Sequence, residues 1–134
     1  MPTPSDFKQG RSKRLGSAGE EIAALYLVAC GYRLAARNVR PLPGMARGEI
    51  DIVAYDGETL CFVEVKTRRS KTADATENVH DAKRRQLVQL AEAYLSVNDV
   101  PATIPCRFDV VAVTLASESA PLVTLHRDAF TPKF

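Results

Sequence analysis

The amino-acid sequence predicts an α/β fold in which helices flank a mixed β-sheet, with the element order αβββαββ. Residues 15–30 and 81–96 repeat apolar side chains at three- and four-residue spacing, which is typical of amphipathic helices. Asp56 and Gly57 separate two strand-like segments, residues 49–55 and 59–67, and an Asp-Gly pair in this position strongly indicates a β-hairpin. Helices and strands in this order form layers around one core.

The remaining elements follow from local signals. Gly31 stands where a helix C-cap belongs, and Pro41 and Gly44 break regular structure after a short first strand. A polar segment without periodicity follows the hairpin and is predicted to be a loop. The other predicted segments are a strand over residues 32–39, that loop over 68–80, and two last strands over 107–115 and 122–126.

Composition restricts the class of protein. The chain has 134 residues, of which 46% are hydrophobic, and its 18 Lys+Arg and 16 Asp+Glu give a net charge of only +2. It is therefore neither a polycationic arm nor an acidic tail, and one domain suits its length. The longest apolar stretch is shorter than the roughly 20 residues of a membrane span, so we expect a cytoplasmic protein without a membrane partner. Three widely spaced cysteines are predicted to be buried free thiols: Cys30, Cys61 and Cys106.

The hairpin strands predict a cluster of charge at one end of a sheet face. If Asp56 and Gly57 form the turn, Asp51 lies opposite Phe62 and Glu49 lies opposite Glu64, which makes Asp51 and Glu64 diagonal neighbours roughly 5 to 8 Å apart at Cβ. The same face then carries Glu49, Asp51, Val53, Tyr55, Leu60, Phe62, Glu64 and Lys66. The opposite face is apolar and must pack on a helix; it carries Ile50, Ile52, Ala54, Cys61, Val63 and Val65.

Three carboxylates and a lysine at one place suit a divalent cation. Opposed like charges are destabilising, and a bound cation would relieve the repulsion between Glu49 and Glu64. Carboxylates with room for water favour Mg²⁺ or Mn²⁺. With Lys66 beside them, the group has the components that phosphodiester hydrolysis requires. The ordinary alternative, solvated charges at strand ends, is disfavoured because the neighbouring apolar residues predict buried central strands.

Two motifs carry a family resemblance. G-E-I-D-I-V-A (48–54) and F-V-E-V-K-T-R (62–68) resemble the D…E-x-K core of the PD-(D/E)XK nuclease superfamily. More narrowly, the chain from residue 15 onward resembles the YraN-like family of small bacterial proteins, which are related to archaeal Holliday-junction resolvases. The resemblance extends to G-x-x-G-E-x-x-A-x-x-Y-L (16–27), R-N-x-R (37–40) and A-x-x-Y-L (91–95). It implies a restriction-endonuclease-like domain over residues 15–134. The preceding residues, 1–14, mix Pro, Ser, Gly and charge without periodicity and are expected to form a flexible basic leader.

The resemblance also implies roles for individual residues of the hairpin. Asp51 and Glu64 would hold the metal ion, with the backbone carbonyl of Val65 as a further ligand. Lys66 would be the catalytic lysine. Glu49 has no settled role in the superfamily core and ranks below the others as a ligand.

Glu20 has two interpretations. It matches the acidic residue that such resolvases contribute from their first helix, which would make it catalytic. Ser17 and Glu20 also have the spacing of a capping box, in which Glu20 would turn back to the backbone of Ser17 and have no catalytic role. Asp109, in an apolar strand, is predicted to pair with Arg107 or a loop amide and less readily to support the site.

Basic residues cluster in the leader, after the second hairpin strand and at the start of the second helix. Such clusters supply phosphate contacts, although solvated helix ends are their ordinary explanation. The residues predicted to contact nucleic acid are Arg14, Arg47, Arg68, Arg69, Lys71, Lys83 and Arg84.

Together these features predict a Mg²⁺- or Mn²⁺-dependent endonuclease that acts on DNA, at branched or distorted structures. A symmetric homodimer would suit cleavage of both strands of a junction. The alternative is a module on a nuclease fold that binds DNA or a repair partner without cutting. A third possibility is a protein-interaction subunit that does not bind DNA.

Overall fold

The computed structural model describes residues 4–42, 44, 47–69, 81–116 and 118–131, with side chains from residue 16 onward. Its elements are α1 (Pro4–Ala29), β1 (Arg33–Val39), β2 (Ile50–Asp56), β3 (Thr59–Arg68), α2 (Asp81–Val97), β4 (Cys106–Thr114) and β5 (Leu122–His126). The predicted α/β class and element order are confirmed. In the described part of the chain, neither helix is long and apolar enough to cross a membrane.

The five strands form one mixed sheet in the order β1-β2-β3-β4-β5. Strands β3 and β4 are parallel, and every other neighbouring pair is antiparallel. Parallel neighbours need a crossover connection, and the segment that contains α2 provides it. The hairpin that carries the candidate site therefore lies near the centre of the sheet.

Each face of the sheet is covered by one helix. On the α1 face, the buried cluster consists of Ala23, Ala24, Leu27, Tyr32, Ile52, Ala54, Cys61, Val63, Val111 and Val113. On the α2 face, it consists of Ile50, Val53, Leu60, Phe62, Leu87, Leu90, Ala91, Phe108, Val110 and Phe130. Because β2 and β3 are buried on both faces, their polar ends lie between two packed layers.

The predicted faces are correct for most of the hairpin but wrong at Ile50. This side chain packs in the α2 cluster, whereas Ile52 packs in the α1 cluster, so strict alternation breaks around Asp51. The neighbouring strand is irregular at the same place: Asn38 has a left-handed φ of 51° and precedes Val39, the partner of Ile50. The irregular start of β2 gives Asp51 its place at the sheet end.

The hairpin turn lies one residue later than predicted. Asp56 pairs with Thr59, so Gly57 and Glu58 form the loop, and Gly57 adopts a φ of 60°. A glycine at the first loop position is characteristic of the type II′ turn. The Arg107 guanidinium holds Asp56 in the strand through a 2.7 Å hydrogen bond.

This shift corrects the predicted register. Val53, and not Asp51, lies opposite Phe62, and Ile52 lies opposite Val63. Continuing the register by one residue sets Asp51 directly opposite Glu64, where the sequence predicted a diagonal pair. The predicted opposition of Glu49 and Glu64 is wrong for the same reason.

Helix α1 starts at Pro4, earlier than the predicted start at residue 15. Its end is confirmed at Gly31, which has a φ of 95°. The amides of Gly31 and Tyr32 donate to the carbonyls of Val28 and Leu27, at 3.0 and 2.9 Å, in the pattern of a Schellman cap. The division into a flexible leader and one domain stays a prediction.

All three cysteines are free, and Cys61 is buried as predicted. Cys30 and Cys106 are exposed, so the prediction of burial is wrong for both. Each lies at an end of an element, where the neighbouring layer no longer covers it: Cys30 follows α1, and Cys106 is the first residue of β4.

Candidate metal centre

An acidic cluster lies at the end of the sheet where β2 begins. Glu20, Glu49 and Asp51 each offer a carboxylate oxygen, and these three oxygens lie within 4.8 Å of one another. All three residues are partly buried. Hard dications such as Mg²⁺ and Mn²⁺ bind oxygen ligands of this kind. The fold therefore brings together two residues from the start of the hairpin and one from α1.

Close packing of α1 on β3 places Glu20 in the cluster. Gly19 is buried, and a Cβ built there would overlap the side chain of Thr67. Any larger residue would push the helix away from the strand. The capping-box interpretation of Glu20 is wrong because α1 begins at Pro4, which places Ser17 inside the helix and not at its N-cap.

Glu49 is held by the segment that precedes β2. Gly48 has a φ of 92°, a conformation that favours glycine. The carbonyl of Arg47 accepts a 2.9 Å hydrogen bond from the Gln86 side chain, which ties this segment to α2. On its exposed side, Glu49 accepts a 3.1 Å hydrogen bond from Arg40. Glu49 is thus a full member of the cluster, although the sequence ranked it last. Of the preceding loop, residues 43, 45 and 46 lie outside the described residues.

Asp51 also faces a fourth carboxylate, that of Glu64. It therefore belongs both to the acidic cluster and to a pair with Glu64. The Val65 amide donates a 2.8 Å hydrogen bond to Asp51 Oδ2, which fixes this side chain across the hairpin. The Glu64 side chain is only 13% exposed, and Lys83 Nζ lies 3.6 Å from its Oε1. Its Oε2 is buried and has no hydrogen-bond partner in the described part of the chain. The role predicted for the Val65 carbonyl stays a prediction.

Burial and repulsion disfavour full ionisation of these acids. Burial, followed by the charge of Glu64, raises the pKa of Asp51 to about 7. Burial also raises the pKa of Glu64, against the opposing effect of Lys83. The pKa of Glu20 is raised by burial and then by the charges of Asp51 and Glu49. A dication would relieve this repulsion and satisfy the buried Glu64 oxygen, so the residues present fit Mg²⁺ or Mn²⁺.

Comparison with known proteins identifies the family. The family model described as "Uncharacterised protein family UPF0102" matches residues 19–113. This range contains the four carboxylates of the candidate metal centre: Glu20, Glu49, Asp51 and Glu64. The chain belongs to the UPF0102 family. This confirms the resemblance to YraN-like proteins.

Individual UPF0102 proteins are similar over most of the chain. One from Chlorobaculum tepidum is 49% identical over 104 residues, which cover 77% of both chains. One from Chloroflexus aurantiacus is 46% identical over 114 residues, 85% of this chain and 84% of the relative. One from Symbiobacterium thermophilum is 46% identical over 121 residues, 89% of this chain and 98% of the relative.

Two lysines of this UPF0102 chain lie near Glu64. Lys66 is half-buried, and burial is the main cause that lowers its pKa, assisted by the charge of Arg68 and opposed by that of Glu64. Lys83, which the sequence predicted as a nucleic-acid contact, is ion-paired to Glu64. The amphipathic pattern of α2 indicates which of its residues face the core, but not which residue of another element a side chain outside the core contacts. Sequence reasoning therefore missed this contact.

The other predicted nucleic-acid contacts differ in their exposure. Arg47, Arg69 and Arg84 are exposed, and Arg68 is half-buried. Arg84 lies over the Phe130 ring at 5.4 Å. The side chain of Arg14 and the whole of Lys71 lie outside the described residues.

A second polar network lies near the hairpin turn. Asp109 accepts hydrogen bonds from Arg107 Nε at 2.8 Å and from the Asp128 amide at 2.9 Å, which confirms the pairing predicted for it. Sequence reasoning missed Tyr32, whose buried hydroxyl donates to Asp109 at 2.8 Å from 77 residues away. Every carboxylate oxygen of Asp109 is therefore occupied, and this network is a structural one.

Proposed function

We propose that this UPF0102 protein is a divalent-metal-dependent endonuclease that hydrolyses DNA phosphodiester bonds, with branched or distorted DNA as its substrate. The observation that carries the proposal is the convergence of Glu20, Glu49 and Asp51 within 4.8 Å of one another. The buried Glu64 oxygen without a hydrogen-bond partner adjoins this convergence through Asp51. Carboxylates buried together at a cost in electrostatic energy are characteristic of functional sites.

The carboxylates available to Mg²⁺ or Mn²⁺ are Asp51, with Glu64 on one side of it and Glu20 and Glu49 on the other. Such an ion polarises a phosphoryl oxygen and lowers the pKa of water. The protein's own contribution is to hold the acids in place before the ion arrives. The Val65 amide orients Asp51, and the contact of Gly19 with Thr67 brings Glu20 within reach.

Lys66 supplies positive charge beside the acids. Strand alternation places it on the same face as Glu64, two residues along β3. In the proposed reaction, its ammonium offsets negative charge that develops on the phosphate and orients the attacking water. Preorganised charges of this kind contribute strongly to catalysis in sites that exclude water.

The exposed arginines of the predicted set, Arg47, Arg69 and Arg84, would contact the DNA backbone. Contacts to phosphate position a protein without reading sequence, which suits an enzyme that recognises the shape of DNA. A homodimer in the cytoplasm, with one centre for each strand, completes the proposal.

The test is cleavage of purified DNA by purified protein. Single-stranded, duplex and four-way-junction DNA are incubated with the wild type in the presence of Mg²⁺, Mn²⁺ or EDTA. We expect metal-dependent cleavage, strongest on the junction, and a loss of at least about 100-fold in Asp51→Asn, Glu64→Gln and Lys66→Ala. Glu58→Gln is the matched control, because it makes the same change as Glu64→Gln at the exposed hairpin loop.

Two outcomes would contradict the endonuclease. If the wild type cuts none of these substrates but binds DNA in a salt-sensitive manner, with no effect of metal or of Asp51→Asn, the chain is a non-catalytic DNA-binding module. If it binds no DNA, a protein-interaction role takes its place. Glu58→Gln must retain wild-type behaviour for either conclusion.

A further inference from the structure

The first turn of α2 brings a positive charge against the acidic centre. Lys83 Nζ lies 3.6 Å from Glu64 Oε1, and the Lys83 side chain is 38% exposed. Its neighbours Arg84 and Arg85 are exposed. Helix α2 is held at this position by the hydrogen bond from Gln86 to the Arg47 carbonyl, at 2.9 Å. Lys83 is therefore the cation that α2 directs into the centre.

Lys83 stands where a positive charge is needed when no dication is bound. Glu64 is nearly buried and faces Asp51, so an ionised Glu64 requires a partner. The ammonium provides one, but it is half-exposed at the end of a flexible four-carbon stem. Such a group leaves for solvent more easily than a buried one does.

A lysine and a dication compete for the same carboxylate. An ion held by Asp51 and Glu64 would bring two positive charges next to the ammonium, and the repulsion at this separation is substantial where the site excludes water. Glu64 Oε1 pairs with Lys83, whereas Oε2, which is buried and has no hydrogen-bond partner in the described part of the chain, is the oxygen open to the ion. The ion and the ammonium would then share one carboxylate, so binding of the dication weakens the ion pair of Lys83.

We propose that Lys83 is a positioning residue that acts as an exchangeable cation: it holds Glu64 in place while metal is absent and leaves when Mg²⁺ or Mn²⁺ binds. This inference rests on the metal centre of the proposed function. The released ammonium becomes available to DNA phosphate, which is the contact that the sequence predicted for it. Metal loading would thus change the partner of Lys83 from an acid of the protein to the substrate.

The first test is calorimetric titration of Mn²⁺ into the metal-free wild type, Lys83→Ala and Arg85→Ala. Removal of the competing charge should tighten Mn²⁺ binding by about five- to thirtyfold in Lys83→Ala. Arg85→Ala removes an equal charge from the same helical turn without a contact to Glu64 and should remain within about twofold of the wild type. Unchanged or weaker binding in Lys83→Ala, or an equal gain in both variants, would overturn the inference.

A second measurement needs no variant. The side-chain Cε and Nζ resonances of Lys83 are followed by nuclear magnetic resonance in the wild type while Mg²⁺ is added. Departure from Glu64 should move both signals in proportion to metal occupancy, and signals that stay in place at saturation would overturn the exchange. If the wild type binds no dication, the proposed metal centre fails as well. If it binds but Lys83 does not respond, only this inference fails.

Discussion

Buried acids beside the two ends of the β2–β3 hairpin have opposite surroundings. In the network that reaches the turn through Arg107 and Asp56, Asp109 is 1% exposed and accepts hydrogen bonds from Arg107, Tyr32 and the Asp128 amide. At the other end, Asp51 accepts one hydrogen bond from the Val65 amide and faces a second carboxylate, Glu64. One acid is surrounded by donors, and the other lies beside like charge.

The pKa values express this difference. Burial alone would raise the pKa of Asp109, but hydrogen bonds from Arg107, the Asp128 amide and Tyr32 outweigh it and hold the pKa below its ordinary value. At Asp51, burial and the charge of Glu64 act together and raise the pKa to about 7. The first end stabilises the fold as it stands. The second is costly to the fold, and the proposed dication would remove this cost.

The largest effect is expected at the turn end. Asp109→Ala removes the acceptor of the Tyr32 hydroxyl and of the Asp128 amide and leaves Arg107 with Asp56 as its remaining carboxylate, so the free energy of unfolding should fall by about 3–5 kcal/mol. Denaturant unfolding measures this change, with Glu58→Gln as the exposed control. A loss below about 1 kcal/mol would show that the network does not stabilise the fold.

A smaller loss is expected where α1 meets β3. Gly19→Ala places a methyl group against Thr67 and should cost about 2 kcal/mol, because the helix must move away from the strand. Gly16→Ala is the matched control: nothing lies within 4 Å of its Cβ, so it should be neutral or stabilise the helix by up to about 1 kcal/mol. Thr67→Ala in the Gly19→Ala background should recover part of the loss, and equal effects at both glycines would contradict the close contact.

The acidic end should respond in the opposite direction. Because the pKa of Asp51 is raised from 3.8 to about 7 on folding, its ionisation costs no stability below about pH 4, an increasing amount up to about pH 7 and a constant amount above. In the metal-free protein, Asp51→Asn should therefore stabilise the fold by about 2 kcal/mol at pH 8, after reduction for partial exposure, and have little effect at pH 4. Thermal unfolding at the two pH values measures this, and a destabilised variant at pH 8 would contradict the description of this end.

The smallest effect is expected at an exposed ion pair on the solvent side of the acidic cluster. Arg37 Nη1 lies 2.8 Å from Glu21 Oε2, and the Glu21 side chain is 61% exposed. Glu21→Gln should change the free energy of unfolding by at most about 0.5 kcal/mol. This effect of the substitution should become smaller still at high salt, which screens the ion pair. A larger loss would mean that the comparison between the two ends understates the contribution of surface charge.

Local patterns were sufficient to predict most of the fold. The hairpin, both helices and the fifth strand, Leu122–His126, follow from apolar spacing and turn residues close in sequence. The turn was placed one residue early because the Asp-Gly signal is local, whereas the hydrogen bond that holds Asp56 in β2 comes from Arg107, 51 residues away. The register of Asp51 and Glu64 depended on that distant contact.

The acidic residues of the candidate site could be named from the sequence, but their arrangement could not. Asp51 and Glu64 follow from the hairpin, yet Glu20 remained undecided, because its role depends on where α1 begins and on the contact between Gly19 and Thr67. Lys83 appeared only as a basic residue of a helix start. Its partner Glu64 lies on another element, and no spacing along the chain indicates such a pair.

The most direct test of this account is to locate Mn²⁺ in crystals of the wild-type protein by its anomalous scattering. We expect one strong peak within about 2.5 Å of carboxylate oxygens of Asp51 and Glu64, with Glu20 or Glu49 nearby, and none beside Asp109. If Mn²⁺ at saturating concentration gave no peak among these four carboxylates, or a peak only near the hairpin turn, the acidic end would not be a metal centre.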